Sequence, residues 1–313
     1  MSREKNSSLY PEADQIRIMD AGYNQIDDEN EIIASNQFKR MWHSFTKRKI
    51  AVLGLIIVLL YIFMAIFADA LAPYDPTKQD LANKLQGPSA EHLLGTDETG
   101  RDLLSRIIYG ARISMKVGVV AVGVAFVIGT PIGICAGYFG GKVDSLLMRA
   151  MDVLMAFPGI LLAILFVSIL GQSLDNAILS VGIYTVPNFA RTARGETLAL
   201  RNSEFIEAAR ALGSGHMRII FNHILVNIVA PMIILATLSF GNAILTTSGL
   251  GFLGIGAQPP TPEWGAMLST GRQYLLTAPH VTTITGLAIL FLVLGLNLLG
   301  DGLRDVLDPK MKD

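Results

Sequence analysis

Glu204-Phe-Ile-Glu-Ala-Ala-Arg-Ala-Leu-Gly213 is a polar-ended decapeptide set between long uncharged hydrophobic runs. Its reading decides what kind of chain this is. Asn202 and Ser203 are good N-cap residues, Glu204 and Glu207 place negative charge near the positive end of a helix dipole, and Gly213 stands where a left-handed residue would close the helix. Ala208 and Ala209 add helix propensity and leave room for another surface to approach. Two readings fit: a docking helix that presents a face to a partner, or an amphipathic connector whose Phe205, Ile206 and Leu212 dip into a bilayer interface. Both make the decapeptide a polar insert in a membrane protein.

The surrounding composition agrees. Hydrophobic residues make up 51% of the 313 residues and charged residues 16%, and several charge-free runs approach the roughly 20 residues that cross a bilayer as a helix. The expected class is an all-α polytopic membrane protein. Five runs are clear: Ile50–Ala68, Val117–Tyr138, Val153–Leu170, Ile224–Leu245 and Val281–Leu299. A sixth, Asn176–Ala190, is shorter and carries Pro187 and Asn188, but without it the chain ends would fall on opposite sides of the membrane. Six transmembrane helices are therefore expected. With the N-terminus inside, 18 of the 25 Lys and Arg residues fall in cytoplasmic segments, so both termini are expected to be cytoplasmic, in a multi-pass protein of the inner or plasma membrane.

The tail before the first span mixes Asp, Glu, Asn and Ser with few apolar residues and is expected to be disordered. It has no apolar core of a signal peptide, and Ile50–Ala68 is followed by no small-residue cleavage site, so that span is expected to remain as an anchor. The single cysteine, Cys135, lies within a predicted span and reads as a structural thiol, leaving no disulfide within the chain.

Several enzyme-like patterns do not carry chemistry. Gly249-Leu-Gly-Phe-Leu-Gly254 has the G-x-G-x-x-G spacing but follows a membrane span and runs into Gln258-Pro-Pro-Thr-Pro262, with no helix to receive a pyrophosphate. Gly140-Gly-Lys-Val143 echoes the end of a P-loop, yet Ala136 and Val143 stand where a glycine and a hydroxyl residue are needed. The five histidines, His43, His92, His216, His223 and His280, show no metal-ligand spacing, and His223 reads as an interfacial hydrogen-bonding residue. Tyr74-Asp75 is flanked by Pro73 and Pro76 in an outer loop and lacks a partner aspartate motif. No Ser, His and Asp arrangement suggests a nucleophile. No metal site, cofactor site or catalytic site is expected on this chain.

The decapeptide, continued as Ser214-Gly-His-Met-Arg-Ile-Ile-Phe-Asn-His-Ile-Leu-Val-Asn227, resembles the Glu-Ala-Ala loop of binding-protein-dependent ABC importers, most of all the C-type permease subunit of dipeptide and oligopeptide importers. In that family the segment usually ends His-Ile-Leu-Pro-Asn; here Val226 takes the proline place, which puts a kink at the entry to the fifth span in doubt. Further stretches fit the same family: Leu94-Gly-Thr-Asp-Glu-Thr-Gly-Arg-Asp-Leu-Leu-Ser-Arg-Ile-Ile-Tyr-Gly-Ala-Arg-Ile-Ser114, Asp152-Val-Leu-Met-Ala-Phe-Pro158, Leu250-Gly-Phe-Leu-Gly-Ile-Gly256 with Trp264-Gly265, and Gly300-Asp-Gly-Leu-Arg-Asp-Val-Leu-Asp-Pro309.

The resemblance implies a type I ABC importer permease fold in two parts, an N-terminal anchor span and a permease core; with the tails read from composition, the expected regions are a disordered cytoplasmic tail 1–44, an anchor span with its outer loop 45–104, a permease core 105–300 carrying the coupling loop, and a cytoplasmic C-terminal tail 301–313. It implies coupling to ATPases through Glu204, Glu207, Ala208, Ala209, Leu212 and Gly213. The implied partners are a second permease, two ATP-binding subunits and an extracytoplasmic peptide-binding protein, with ATP hydrolysed by the partners and no cofactor on this chain. The cargo implied is a di- or oligopeptide; relatives in the family also move nickel and other small cargo. An ion-coupled secondary transporter is the reading from another class, and it would ordinarily need ionisable or unwound polar sites at mid-membrane, where these spans carry no charge.

Two motifs have readings of their own. In Gly95–Ser114, Asp97, Arg101, Asp102 and Arg106 alternate with Leu103, Leu104, Ile107 and Ile108, which at helical spacing gives a charged and an apolar stripe: an interfacial helix leading into the second span, or part of the outer mouth. Asp152 and Pro158 are the candidate gating residues, with proline bending a pore-lining helix or relieving packing strain. Asp152 and Glu196 lie near cytoplasmic helix ends, where pairing with Arg149, Arg191 or Arg194 is expected rather than a coupling-ion site.

Overall fold

The computed structural model describes Lys39 and residues 42–307. The expected disordered tail 1–44 lies almost wholly outside the described residues, as does the end of the C-terminal tail. The chain separates into a unit up to Arg48 and a unit from Lys49 onward. In the first, residues 42–46 are helical and the rings of Trp42 and Phe45 stack with centroids 6.2 Å apart.

The second unit is helical throughout apart from its loops. In chain order it holds α1 (Lys49–Ile66), the short α2 (Ala68–Leu71), α3 (Leu103–Phe139), α4 (Gly141–Met155), α5 (Gly159–Leu170), α6 (Leu174–Leu200) and α7 (Glu204–Ala211). Then come α8 (His216–Phe252), α9 (Trp264–Gly271) and α10 (Pro279–Leu307). Four of these, α1, α3, α8 and α10, are long and apolar enough to cross a membrane, and the bent pair α4–α5 makes a fifth.

α6 is less apolar, because it carries Arg, Glu and Asn, and it packs along the length of α3. Glycines on α3 bring the two backbones together: a Cβ added at Gly129, Gly133 or Gly137 would fall 2.6 Å from the Val186 carbonyl, 2.2 Å from that of Ala190 and 2.8 Å from the Thr197 Cβ respectively. Residue numbers rise together along this seam, from the Lys116–Asp175 ion pair at one end to Gly137 and Thr197 at the other, so α3 and α6 are parallel. The chain must therefore return across the bundle between them, which α4 and α5 accomplish. Gly118 of α3 lies against Phe240, and Tyr138 near the end of α3 hydrogen-bonds His216 at the start of α8, so α8 runs antiparallel to α3. α10 is antiparallel to α8, where Gly300 meets Leu238 and Gly241 meets Asn297, and to α1, where Gly54 meets Leu299 and the Tyr61 hydroxyl donates to the Ala288 carbonyl at 2.9 Å. The start of α1 thus lies beside the end of α10.

Two expectations on the spans need correction. The third, Val153–Leu170, is not one helix: it breaks with a bend of 88° between Met155 and Gly159. Pro158 sits at the break, in extended conformation (φ −56, ψ 128) immediately before α5, because its ring cannot continue a preceding helix. The 12 residues of α5 span only about 18 Å, less than a hydrocarbon core of about 30 Å. The second span begins at Leu103 rather than Val117, and its 37 residues reach about 55 Å, so its first turns stand clear of the hydrocarbon.

The core is centred on α3, α6, α8 and α10, where Val117, Ala125, Phe189, Ile228 and Leu292 are buried. Trp264 is fully buried and meets the Tyr61 ring edge-on at 5.9 Å. Only a residue without a side chain fits at Gly110, whose Cβ would lie 2.1 Å from the indole nitrogen. Together these contacts tie α1, α3 and α9 at one end of the bundle.

Candidate functional site

α7 is built at the opposite end, where α6 finishes. The Arg201 amide closes α6 on the Thr197 carbonyl at 2.9 Å, and its guanidinium donates to the Gly137 carbonyl at 3.2 Å, holding the turn against the end of α3. Ser203 is the N-cap of α7, but its hydroxyl does not receive a helix N–H as expected. It donates instead to the Leu200 carbonyl at 2.7 Å, while the Ser203 carbonyl accepts from Ile206 and Glu207. The reason is local: the last carbonyls of α6 are orphaned, and the hydroxyl satisfies one of them. Glu204 and Glu207 occupy the first turn and Arg210 the last, each matching the sign of its helix end.

The closing glycine is as expected. Gly213 has φ +80, its N–H donates to Arg210 and that of Ser214 to Ala209, the paired bonds of a Schellman end. Of the six named coupling residues, Glu204, Glu207, Ala208, Leu212 and Gly213 are exposed on α7 and its closing turn, with Leu212 87% exposed. Ala209 does not join them: it is buried with Ile206, on the face that anchors α7 to the protein. Phe205 adds a further exposed apolar side chain.

What α7 rests on was not read from the sequence. The Arg210 guanidinium lies over the Tyr138 ring at 5.5 Å, and the Tyr138 hydroxyl hydrogen-bonds His216 Nδ1 at 2.9 Å. Tyr138 and Phe139 both meet the His216 ring edge-on, and Phe205 lies 6.4 Å from the His223 ring. The hydrogen-bonding histidine at this end is thus His216, where His223 was expected. One aromatic and cationic bracket joins the end of α3, α7 and the start of α8. The Arg at i and aromatic at the preceding span's end were visible, but nothing in one sequence pairs them.

α8 continues through Val226 without a break. The irregularity lies just before it, where Ile220–Leu225 form a π-helical turn, a widening often found at functional positions. Pro231 sits further inside the helix.

Asp152 and Pro158 lie on and after α4. Asp152 accepts from Arg191 of α6 at 2.6 Å, and Asp144 takes a two-pronged pair with Arg194 at 2.5 and 2.7 Å. The pairing expected for Asp152 is therefore made by Arg191. Asp144 was missed, although its spacing of eight from Asp152 places both on one helical face opposite Arg191 and Arg194. Glu196 has no ion pair among the described residues. These pairs pin the amphipathic α4 along the end of α6 and leave α5 attached beyond the break.

The outer segment departs most from its expectation. Residues 95–102 are not helical: Gly95 and Gly100 take φ +84 and +79, and the helix begins only at Leu103. Asp102 caps it, accepting from the Ser105 amide and hydroxyl at 2.7 Å each and lying 2.9 Å from His92 Nδ1. Asp97 accepts from the Thr99 and Arg101 amides and from Arg101 Nε at 2.6 Å; Arg106 Nη1 donates to the Pro76 and Pro260 carbonyls. His92, Asp97, Arg101, Asp102 and Arg106 are all buried. The charges form an internal lock rather than a solvated stripe, because the two glycines turn the chain back and give each carboxylate a set of donors. Asp75 forms a turn with Thr77, whose hydroxyl bond holds its carboxyl below the usual range.

Glu263, unremarked in the sequence, caps α9 from a 2% exposed position. It accepts from the Gly265 and Ala266 amides at 2.8 and 2.7 Å and from the Ser248 hydroxyl at 3.2 Å; burial nonetheless pushes its carboxyl up. Its space comes from Gly251, whose Cβ would fall 2.3 Å from Oε2. The G-x-G-x-x-G stretch is thus the end of α8, with Gly254 at φ +81 closing it. Gly140 and Gly141 form the α3–α4 corner.

Comparisons with known proteins follow the same outline. A family model described as "Binding-protein-dependent transport system inner membrane component" matches residues 129–313, and one described as "N-terminal TM domain of oligopeptide transport permease C" matches residues 36–88. The dipeptide transport system permease protein DppC of Alkalihalophilus pseudofirmus is 50% identical over 284 residues, 91% of this chain and 93% of that one. The di/tripeptide transport system permease protein DppC of Pseudomonas aeruginosa is 43% identical, covering 94% and 99%. The glutathione transport system permease protein GsiD of Escherichia coli is 47% identical, covering 90% and 94%. Among solved structures, an inward-facing conformation of the MetNI methionine ABC transporter matches with a TM-score of 0.54 at 21% identity, covering 65% of this chain and 97% of that chain. That likeness speaks to the fold.

Proposed function

The chain belongs to the family of binding-protein-dependent transport system inner membrane components, and from that premise we propose that it is the permease subunit of an ATP-driven importer of short peptides. Its relatives named for dipeptides and for glutathione support a small peptide cargo. The chain forms the pore with a second permease; two ATP-binding subunits hydrolyse ATP, and an extracytoplasmic binding protein delivers the peptide. Both termini are cytoplasmic, which puts α7 on the ATPase side and the buried His92–Arg106 lock on the receptor side.

The observation that carries the reading is the construction of α7. Its buried face, Ile206 and Ala209, fastens it to the bundle, while Glu204, Glu207, Ala208 and Leu212 face outward. An 87% exposed leucine beside two carboxylates suits an apolar groove rimmed by basic groups on a partner. Movement of that partner reaches Tyr138 and His216 directly, and through them the ends of α3 and α8. Those long helices act as levers between inward-open and outward-open states. Asp152 and Pro158 place a hinge beside α6, where the α4–α5 break would open or close the path.

Glu207→Ala removes a charged contact, and Gly213→Asp puts a side chain on a left-handed backbone position. Each is expected to reduce copurification of the ATP-binding subunit and peptide uptake while membrane insertion persists. Normal uptake by both variants overturns the docking assignment.

A further inference from the structure

Four uncharged polar side chains stand together on α6 and α8. The hydroxyls of Tyr184 and Thr246 hydrogen-bond across the two helices at 3.0 Å. Because α6 is parallel and α8 antiparallel to α3, they run antiparallel to one another. Asn188, four residues after Tyr184, and Asn242, four residues before Thr246, are therefore displaced from that pair by one turn each, about 5.4 Å, in the same direction. Both asparagines are exposed, and neither amide has a hydrogen-bond partner among the described residues. Asn188 lies within the apolar run Asn176–Ala190, about one turn before the Arg191–Asp152 pair.

An unpartnered carboxamide at that depth is costly against hydrocarbon. Exposed positions on the neighbouring α5 look different and include Ile160, Leu161, Leu165 and Ile169. The asparagines therefore meet something polar. A second observation places them beside the broken span. Gly159, the first residue of α5 after the 88° bend, packs on the Tyr184 ring, from which a Cβ would be 3.0 Å. In secondary transporters, helices broken in this way hold the cargo.

We propose that Asn188 and Asn242, backed by Tyr184 and Thr246, contact the backbone amides of the peptide in transit. The proposal rests on the peptide-importer reading above. A peptide unit carries one donor and one acceptor, and a carboxamide offers both in the same plane. The patch itself holds no charge, and the nearest ion pair, Arg191 with Asp152, is neutralised within itself. Such a site grips the part that all peptides share and is indifferent to the charge of their side chains.

The test uses the complete transporter, with second permease, ATP-binding subunits and binding protein, in liposomes supplied with ATP. Asn188→Leu and Asn242→Leu keep the side-chain size and remove the hydrogen bonds. Each is expected to lower kcat/KM for dialanine by about three- to tenfold, the worth of one hydrogen bond, with copurification of the second permease retained. Asn188→Asp is expected to raise the uptake ratio of alanyl-lysine over alanyl-glutamate at least threefold relative to wild type, an effect that a packing role would not produce. Unchanged kcat/KM and an unchanged ratio overturn the proposal, as does loss of the second permease from the Leu variants, which would assign the patch to the subunit interface. A wild-type transporter that leaves dialanine outside removes the peptide reading and this site with it; wild-type uptake with unaffected variants removes the site alone.

Discussion

Gly133→Ala adds one methyl group where α3 and α6 are closest. The new Cβ would lie 2.2 Å from the Ala190 carbonyl oxygen and 2.7 Å from the Ala193 Cβ. An ordinary carbon–oxygen contact is about 3.3 Å, so the helices must part by about 1 Å at this point. The obstacle is backbone, which cannot rotate away as a side-chain end would. Forced overpacking of this kind costs about 1–3 kcal/mol, against which alanine returns about 1 kcal/mol of helix propensity. Gly123→Ala, ten residues earlier on α3, supplies the comparison, because nothing lies within 4 Å of its added Cβ. It gains the same propensity without the clash. The two variants are expected to differ by about 2 kcal/mol, or about 5 °C in Tm, measured by thermal unfolding in the same detergent. Equal stability, or a more stable Gly133→Ala, would refute the close-packed parallel pair.

Three other outcomes follow from the structure. In a Cys135→Ser background, cysteines at Lys84 and Gln258 are expected to react with an impermeant label applied to intact cells and a cysteine at Lys142 is not; labelling at Lys142 would sink the orientation. Glu263 has its carboxyl pKa raised by burial in the folded protein, so the folded state holds the proton more tightly than the unfolded chain. The contribution of Glu263 to stability should be fully present below the unfolded carboxyl value of about 4.3 and be lost as pH rises through the folded value; Glu263→Gln should lack that loss, and parallel Tm profiles for the two proteins from pH 4 to 8 would contradict the buried placement. Tyr138→Phe deletes the hydroxyl bonded to His216 but keeps the ring under Arg210, so uptake driven by ATP should fall several-fold, consistent with loss of about 1 kcal/mol of coupling, while the ATP-binding subunit still copurifies. Unaltered uptake would show that the bracket does not transmit motion.

Much of this architecture was legible because the bilayer leaves few options: long apolar runs must be helices. The polar punctuation of α7 was legible too, since Gly213 and the first-turn carboxylates act within a few residues. What escaped were the relations that only packing creates. Residues 95–102 have the charge spacing of an amphipathic helix, but positive φ at Gly95 and Gly100 folds the segment onto itself and buries Asp97 and Arg101. Ser203 looked like a side-chain cap and instead serves the helix before it. Ala209, grouped with the coupling residues by its motif, faces inward by its helical phase with Ile206. Val153–Leu170 read as one span, although the pyrrolidine ring of Pro158 ends any helix that reaches it. The Tyr138, Arg210 and His216 bracket joins residues more than 70 positions apart, with the Tyr138–His216 bond spanning 78, and no local pattern announces it.

The most direct test of the account is the energy source for transport. The purified chain alone in liposomes should move no labelled dipeptide under a proton or sodium gradient of any size, because its span centres carry no ionisable coupling site. Adding the second permease, the ATP-binding subunits, the binding protein and ATP together should produce uptake, and omitting any one of them should abolish it. Gradient-driven uptake by this chain alone would contradict the claim that α7 couples it to an external ATPase.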